Sequence, residues 1–177
     1  EIIKPGIRVS VIGKIIEETI KSHGYRVIKN LSGHSIDRYL IHSGKTIPNY
    51  NEVFNRSVLT DGVYAVEPFA TNGYGLVESG DVVTIYSLKT LKARNLLDYE
   101  EKLYNAIWST RRTLPFCERW YTGLYSNIEV LKKALQGLDN KKMLIKYPIL
   151  VERKHGYVSQ FEHTFIINGN EVIVTTM

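Results

Sequence analysis

Asn30-Leu31-Ser32-Gly33-His34-Ser35-Ile36, with Ile41-His42-Ser43-Gly44-Lys45-Thr46-Ile47-Pro48 close behind, places two histidines in extended-compatible sequence where apolar residues are expected. Two further segments break the same rule. Val66-Glu67-Pro68-Phe69 carries a carboxylate in an otherwise apolar strand, and Ser159-Gln160-Phe161-Glu162-His163-Thr164 carries another among aromatic and apolar neighbours. A buried carboxylate is costly unless it is paired or coordinates a metal. Strand alternation sets Gln160, Glu162 and Thr164 on one face and Phe161, His163 and Phe165 on the other. Glu67 shares its face with Ala65 and Phe69. One histidine and two such glutamates make a partial ligand set for a hard or borderline divalent cation. Their separations match no compact metal motif, so a satisfied structural carboxylate stands beside the metal reading for each.

Outward from these segments, the texture is that of an α+β protein. Ile7, Val11, Ile12, Ile15, Ile16 and Ile20 recur at helical spacing, with Lys14, Glu17, Glu18 and Lys21 opposite, predicting a helix from Ile7 to His23 that ends at Gly24. Short extended segments follow at Arg26 to Ile28 and Ser35 to His42, then buried strands at Val63 to Phe69 and Val82 to Ser87. Helical patterns occupy Leu97 to Arg112 and Ile128 to Leu138, separated by Leu114-Pro115. Strand texture returns at Tyr147 to Val151, Tyr157 to Ile167 and Glu171 to Thr175, with Asn168-Gly169 as a hairpin turn. The expected organisation is a body formed by residues 1–87 and 143–177, interrupted by a helical block at 88–142.

The bulk numbers narrow the function classes. The 177 residues include 23 Lys and Arg against 18 Asp and Glu, a net charge of +5 that favours weak attraction to anionic surfaces such as ribosomal RNA. Basic residues are interspersed with acidic ones, so specific DNA recognition is not expected. The apolar runs are too short to cross a bilayer. A single cysteine, Cys117, allows no internal disulfide and suits a reducing cytoplasm, the expected location. Cys117 reads as a packing residue, as do Trp108, Trp120, Tyr121 and Tyr125; His163 reads as a packing neighbour, and His23 and His155 as loop residues. The chain opens at Glu1 and its first helix starts almost at once, so an incomplete polypeptide is expected.

The three blocks, in this order, resemble the type II methionine aminopeptidases. Asn30 to Ile36 and Ile41 to Pro48 are similar to that family's N-L-x-G-H-S-I…I-H-x-G-K-x-x-P pattern, Tyr64-Ala65-Val66-Glu67-Pro68-Phe69 to its acidic strand, and Gln160-Phe161-Glu162-His163-Thr164 to its closing strand. Leu114 to Trp120 resembles the helical insertion of the type II branch. The resemblance implies the C-terminal half of a pita-bread fold. It implies His34, Glu67 and Glu162 as metal ligands, Glu162 bridging two ions and Glu67 doubling as general base. His42 is implied beside the scissile carbonyl, binding substrate and stabilising the tetrahedral intermediate. The cofactors implied are two divalent ions (cobalt, manganese, iron or zinc), which would acidify water and anchor the substrate amine. The family's two aspartate ligands and another histidine lie in the preceding half, which this chain lacks. A separate or cleaved N-terminal half is therefore the expected partner, along with nascent peptide substrate and the ribosome, and the chain alone is expected to be inactive. The alternatives are a non-catalytic relative that binds RNA or ribosomes, and an X-Pro dipeptidase of the same fold.

Overall fold

A computed structural model of the chain describes residues 2–89 and 95–176. Residues 90–94, part of the expected helical block, lie outside that set, as do Glu1 and Met177. In chain order the elements begin with α1 (Val9–Ser22), β1 (Arg26–Val27), β2 (Ser32–Ile36), β3 (Thr46–Pro48), β4 (Gly62–Val66) and β5 (Phe69–Thr71). They continue with β6 (Val77–Leu88), α2 (Asp98–Thr110), β7 (Phe116–Cys117), a 3-10 helix (Glu118–Leu124) and α3 (Ile128–Asn140). The last four strands are β8 (Leu144–Glu152), β9 (Val158–Gln160), β10 (His163–Asn168) and β11 (Glu171–Val174). The chain divides into two compact units, Glu1–Ser79 with Leu150–Met177, and Gly80–Ile149.

The first unit is built on an antiparallel five-stranded sheet in the order β11-β10-β4-β2-β3. Its core joins Ile7, Val9 and Ile12 to Ile47, Leu59, Tyr64, Phe165 and Ile167. Only part of the isoleucine-rich face of α1 is used: Val9, Ile12 and Gly13 are buried, whereas Val11 and Ile15 are 43% and 39% exposed. The reason is a close backbone approach. A Cβ on Gly13 would lie 2.2 Å from the Tyr50 carbonyl oxygen and 2.7 Å from that of Pro48, so the helix meets the sheet edge at one narrow stripe. Glycine costs about 1 kcal/mol against alanine inside a helix, and here nothing larger fits. Gly24, at φ +80°, ends the helix through its N–H to the Lys21 carbonyl.

Three strands differ from the sequence expectation. The extended run expected at Ser35 to His42 ends at Ile36. Asp37 and Leu40 exchange backbone hydrogen bonds of 2.9 Å, with Tyr39 at φ +59°, and reverse the chain. The strand expected from Val63 to Phe69 breaks at Glu67-Pro68, where proline has no N–H for a ladder. The strand expected from Tyr157 to Ile167 breaks at Phe161-Glu162. After the first break the chain enters a second antiparallel sheet, β1-β5-β9, and at the second it returns from that sheet to the five-stranded one.

The second unit packs α2, α3 and the 3-10 helix around Leu103, Ile107, Phe116, Leu131 and Leu138, with strands ordered β7-β6-β8. Glu100, 2% exposed, accepts from Lys141 Nζ at 2.8 and 2.9 Å and from the Leu97 N–H at 2.9 Å. A Cβ on Gly137 would meet Glu100 Oε1 at 1.9 Å, so α3 carries glycine where the carboxylate passes.

Candidate metal and active site

His34 lies on β2 opposite Ala65 of β4 and Thr46 of β3, and it is 8% exposed. Gly33 lets the backbones close in before it, since a Cβ there would lie 2.3 Å from the Ala65 carbonyl oxygen. His34 Nε2 is 2.8 Å from Glu67 Oε1, and Nδ1 is 3.3 Å from the Ser35 carbonyl. Both ring nitrogens therefore face acceptors. The hydrogen bond to Glu67 raises the imidazole pKa above its ordinary 6.5, outweighing the opposing effect of burial, and Glu162 adds to the rise through its charge.

His42 reaches this pair because the chain reverses after Ile36. Ser35 anchors the returning segment: its carbonyl accepts from the Ser43 N–H at 2.9 Å, and its Oγ accepts from Ser43 Oγ at 2.8 Å and the Lys45 N–H at 3.0 Å. The two imidazoles meet edge to face with centroids 4.3 Å apart. Burial, and then the charge of His34, push the His42 pKa below 6.5.

The two carboxylates share a register. His163 pairs with Val66 on one side of the double break and Gln160 pairs with Phe69 on the other. Carrying that register through the gap sets Glu162 opposite Glu67 and Phe161 opposite Pro68; the Phe161 N–H donates to the Pro68 carbonyl at 3.2 Å. Like charges opposed across a ladder repel. Proline at 68 and the broken ladder free both residues from the regular pleat at this point. Glu67 is half-buried, whereas Glu162 is exposed and accepts from Gln160 Nε2 at 3.4 Å.

The structure thus brings His34, Glu67 and His42 together and aligns Glu162 with Glu67. Among the described residues no group of three or more His, Cys, Asp or Glu side chains is gathered closely enough to hold a metal ion, so the expected convergence of His34, Glu67 and Glu162 is drawn in only at the first two. The donor set nonetheless suits a divalent cation in kind. One imidazole and two opposed carboxylates are what such ions take, and a cation between them would relieve the repulsion. His163 stands apart, its Nδ1 3.0 Å from Thr176 Oγ1 and its ring against Phe161. His23 caps α1 with Nδ1 2.9 Å from the Thr19 carbonyl, and His155 sits in a loop at φ +57°.

Two residues escaped the sequence reading. Asn49 is fully buried, with Nδ2 donating to the carbonyls of Leu31 at 3.1 Å and Glu67 at 2.8 Å. Glu152 is 4% exposed and accepts from the N–H groups of Tyr74, Gly75, Lys154 and Gly156. Burial pushes its carboxyl up, but the four amides prevail and hold it at about 2. Its position after the apolar run Pro148 to Val151, a carboxylate closing an apolar stretch of sequence, was the available signal; Asn49 gave none.

Residues 1–94 match metallopeptidase family M24. The chain is 44% identical over 173 residues to a methionine aminopeptidase of Saccharolobus solfataricus, covering 98% of this chain and 58% of that protein. It thus spans a little over half the length of the curated relatives it matches. Its fold is that of solved structures more distant in sequence. A thermophilic Arx1 superposes with TM-score 0.74 at 16% identity, over 95% of this chain and 45% of that one. A methionine aminopeptidase from Thermotoga maritima superposes with TM-score 0.55 at 21% identity, over 98% and 44%. The α+β arrangement is that of about half a pita-bread fold, and the chain belongs to metallopeptidase family M24.

Proposed function

We propose that this chain supplies His34, Glu67, Glu162 and His42 to a methionine aminopeptidase that removes the initiator methionine from nascent proteins in the cytoplasm. The observation that carries this reading is the opposition of Glu67 and Glu162 across one register, with His34 bonded to Glu67. Two carboxylates and an imidazole would hold one side of a pair of divalent ions, and aspartates from the remaining polypeptide would hold the other. When bound, such ions supply Lewis acidity and a nucleophile at neutral pH. Glu67 would accept a proton from the attacking water through the carboxylate oxygen that does not bond His34. His42, with a lowered pKa, is neutral near pH 7 and can donate a hydrogen bond to an oxyanion without carrying a competing charge.

A second reading rests on charge. Residues 80–149 hold twelve Lys and Arg against seven Asp and Glu, so the whole net charge of +5 falls there. Arg111 stacks on Trp120 with its guanidinium 4.9 Å from the ring, and Arg112 on Trp108 at 4.6 Å. Such a surface suits RNA or a ribosome, as a docking aid to the enzyme or as the function of a non-catalytic relative.

The test is complementation. The chain is mixed with a polypeptide covering the rest of the length of its relatives, and hydrolysis of a short methionyl peptide is followed with manganese present. Activity absent from either part and present in the mixture is expected, with His42→Ala lowering turnover far more than metal content. Inactivity of the mixture, together with salt-dependent RNA binding by the chain, would favour the non-catalytic relative.

A further inference from the structure

Asn49 follows β3 on the edge of the five-stranded sheet, yet its side chain reaches inward past β2. Extending the β2–β3 register places it opposite Leu31, three residues before His34. From there Nδ2 donates both to the Leu31 carbonyl, just before the strand of His34, and to the Glu67 carbonyl, just after β4. Two acceptors converge on this amide, which fixes its orientation: the NH2 group must face them. The cost is on the other side. Oδ1 is buried with no hydrogen-bond partner, the one such side-chain atom among the described residues. Buried polar atoms are rarely left unpaired, and an exception calls for a reason.

The reason lies at Glu67. The ladder breaks there, and Pro68 has no N–H to bind the strand further. The backbone carrying this carboxylate is held from one side by the Phe161 N–H to the Pro68 carbonyl and from the other by Asn49 to its own carbonyl. Only a short side chain with two donors and no charge spans both carbonyls. Glutamine is longer by a methylene, lysine brings a charge, and serine has one hydrogen to give. The anchor itself is fixed, because Gly13 of α1 presses directly on the carbonyls of Pro48 and Tyr50, on either side of Asn49.

We infer that Asn49 is a positioning residue, sacrificing its own acceptor to hold the backbone of Glu67 against the strand of His34 so that the two side chains keep the separation a cation needs. It touches neither substrate nor ion in this role. The inference rests on the metal reading for its purpose, but its geometric content can be tested without a metal.

Two variants test it, Asn49→Leu, which keeps the branched shape and removes both donors and the orphan acceptor, and Asn49→Ser, which retains one donor. Three readouts apply to the 177-residue chain: thermal melting, the ring resonances of His34 in metal-free protein, and manganese affinity. Asn49→Leu should shift the His34 resonances while those of His23 and His155 stay, and should weaken manganese binding about tenfold or more. Asn49→Ser should fall between Leu and wild type. Variants that melt early but keep wild-type His34 resonances and affinity would overturn the inference, reducing Asn49 to a packing residue, as would failure of both to fold. If wild type itself takes no manganese, the metal reading fails on its own, and the His34 resonances still decide whether Asn49 positions the pair.

Discussion

The two units treat buried carboxylates in the same way, and the candidate site does not. In the helical unit Glu100 is neutralised by Lys141 and the Leu97 N–H. In the sheet unit Glu152 is surrounded by four backbone amides. Each has about as many donors as a carboxylate can use, and each closes a loop or a helix pair. Glu67 and Glu162 instead fall opposite one another when the flanking register is carried through the break, with an imidazole against one and a distant amide against the other. All five histidines also belong to the sheet unit, and all the excess positive charge to the helical unit. Satisfied carboxylates mark where the fold is held; the opposed pair marks where charge is left for something else to neutralise.

The largest effect that would sharpen this contrast is expected at Gly137→Ala. A methyl group there meets Glu100 Oε1 and must displace a buried, fully bonded carboxylate. A loss of about 3 kcal/mol is expected. Both tryptophans lie in the helical unit, so urea unfolding followed by tryptophan fluorescence reports it directly. A variant as stable as wild type would show that Glu100 is not held as tightly as its contacts imply.

A smaller effect is expected for Glu152 in acid. Its carboxyl sits at about 2 in the fold against 4.5 ordinarily, so the unfolded chain binds the proton more readily. The stability it contributes is complete above about pH 4.5 and is lost as pH falls toward about 2. The amide protons of Tyr74, Gly75, Lys154 and Gly156 should lose exchange protection together across that window, and Glu152→Gln should remove the pH dependence. Protection that persists to the lower limit would mean the amides are held without the charge.

The smallest effect is the one nearest the chemistry. In metal-free protein the two touching imidazoles should titrate on opposite sides of 6.5, His34 above and His42 below. Glu67→Gln should bring His34 back toward 6.5. Because the folded pKa of His34 is raised, its contribution to stability is full below 6.5 and fades as pH rises through the folded value. Coincident titration curves would break the asymmetry between the two residues.

Much of this was legible in the sequence because it depends on local pattern. The period of α1, the Asn168-Gly169 hairpin and the misplaced polar residues at His34, Glu67 and Glu162 are all one-dimensional signals. What escaped was set by pairing. Alternation ran straight through Glu67 and Glu162, and only the register of two sheets reveals a break at both places and the alignment of the two residues across it. The turn at Asp37 to Leu40, which brings His42 onto His34, needs Tyr39 in the left-handed region, a conformation its residue type does not advertise. Asn49 leaves no one-dimensional signal, because both of its partners are backbone carbonyls distant in sequence.

The most direct test is manganese binding by the chain itself, measured by calorimetry at neutral pH for wild type, Glu67→Ala, Glu162→Ala and Glu152→Gln. Weak binding by wild type is expected, lost in Glu67→Ala and Glu162→Ala and retained in Glu152→Gln. Binding that survives removal of both Glu67 and Glu162, or that disappears only with Glu152, would contradict the assignment of the opposed pair as the cation site.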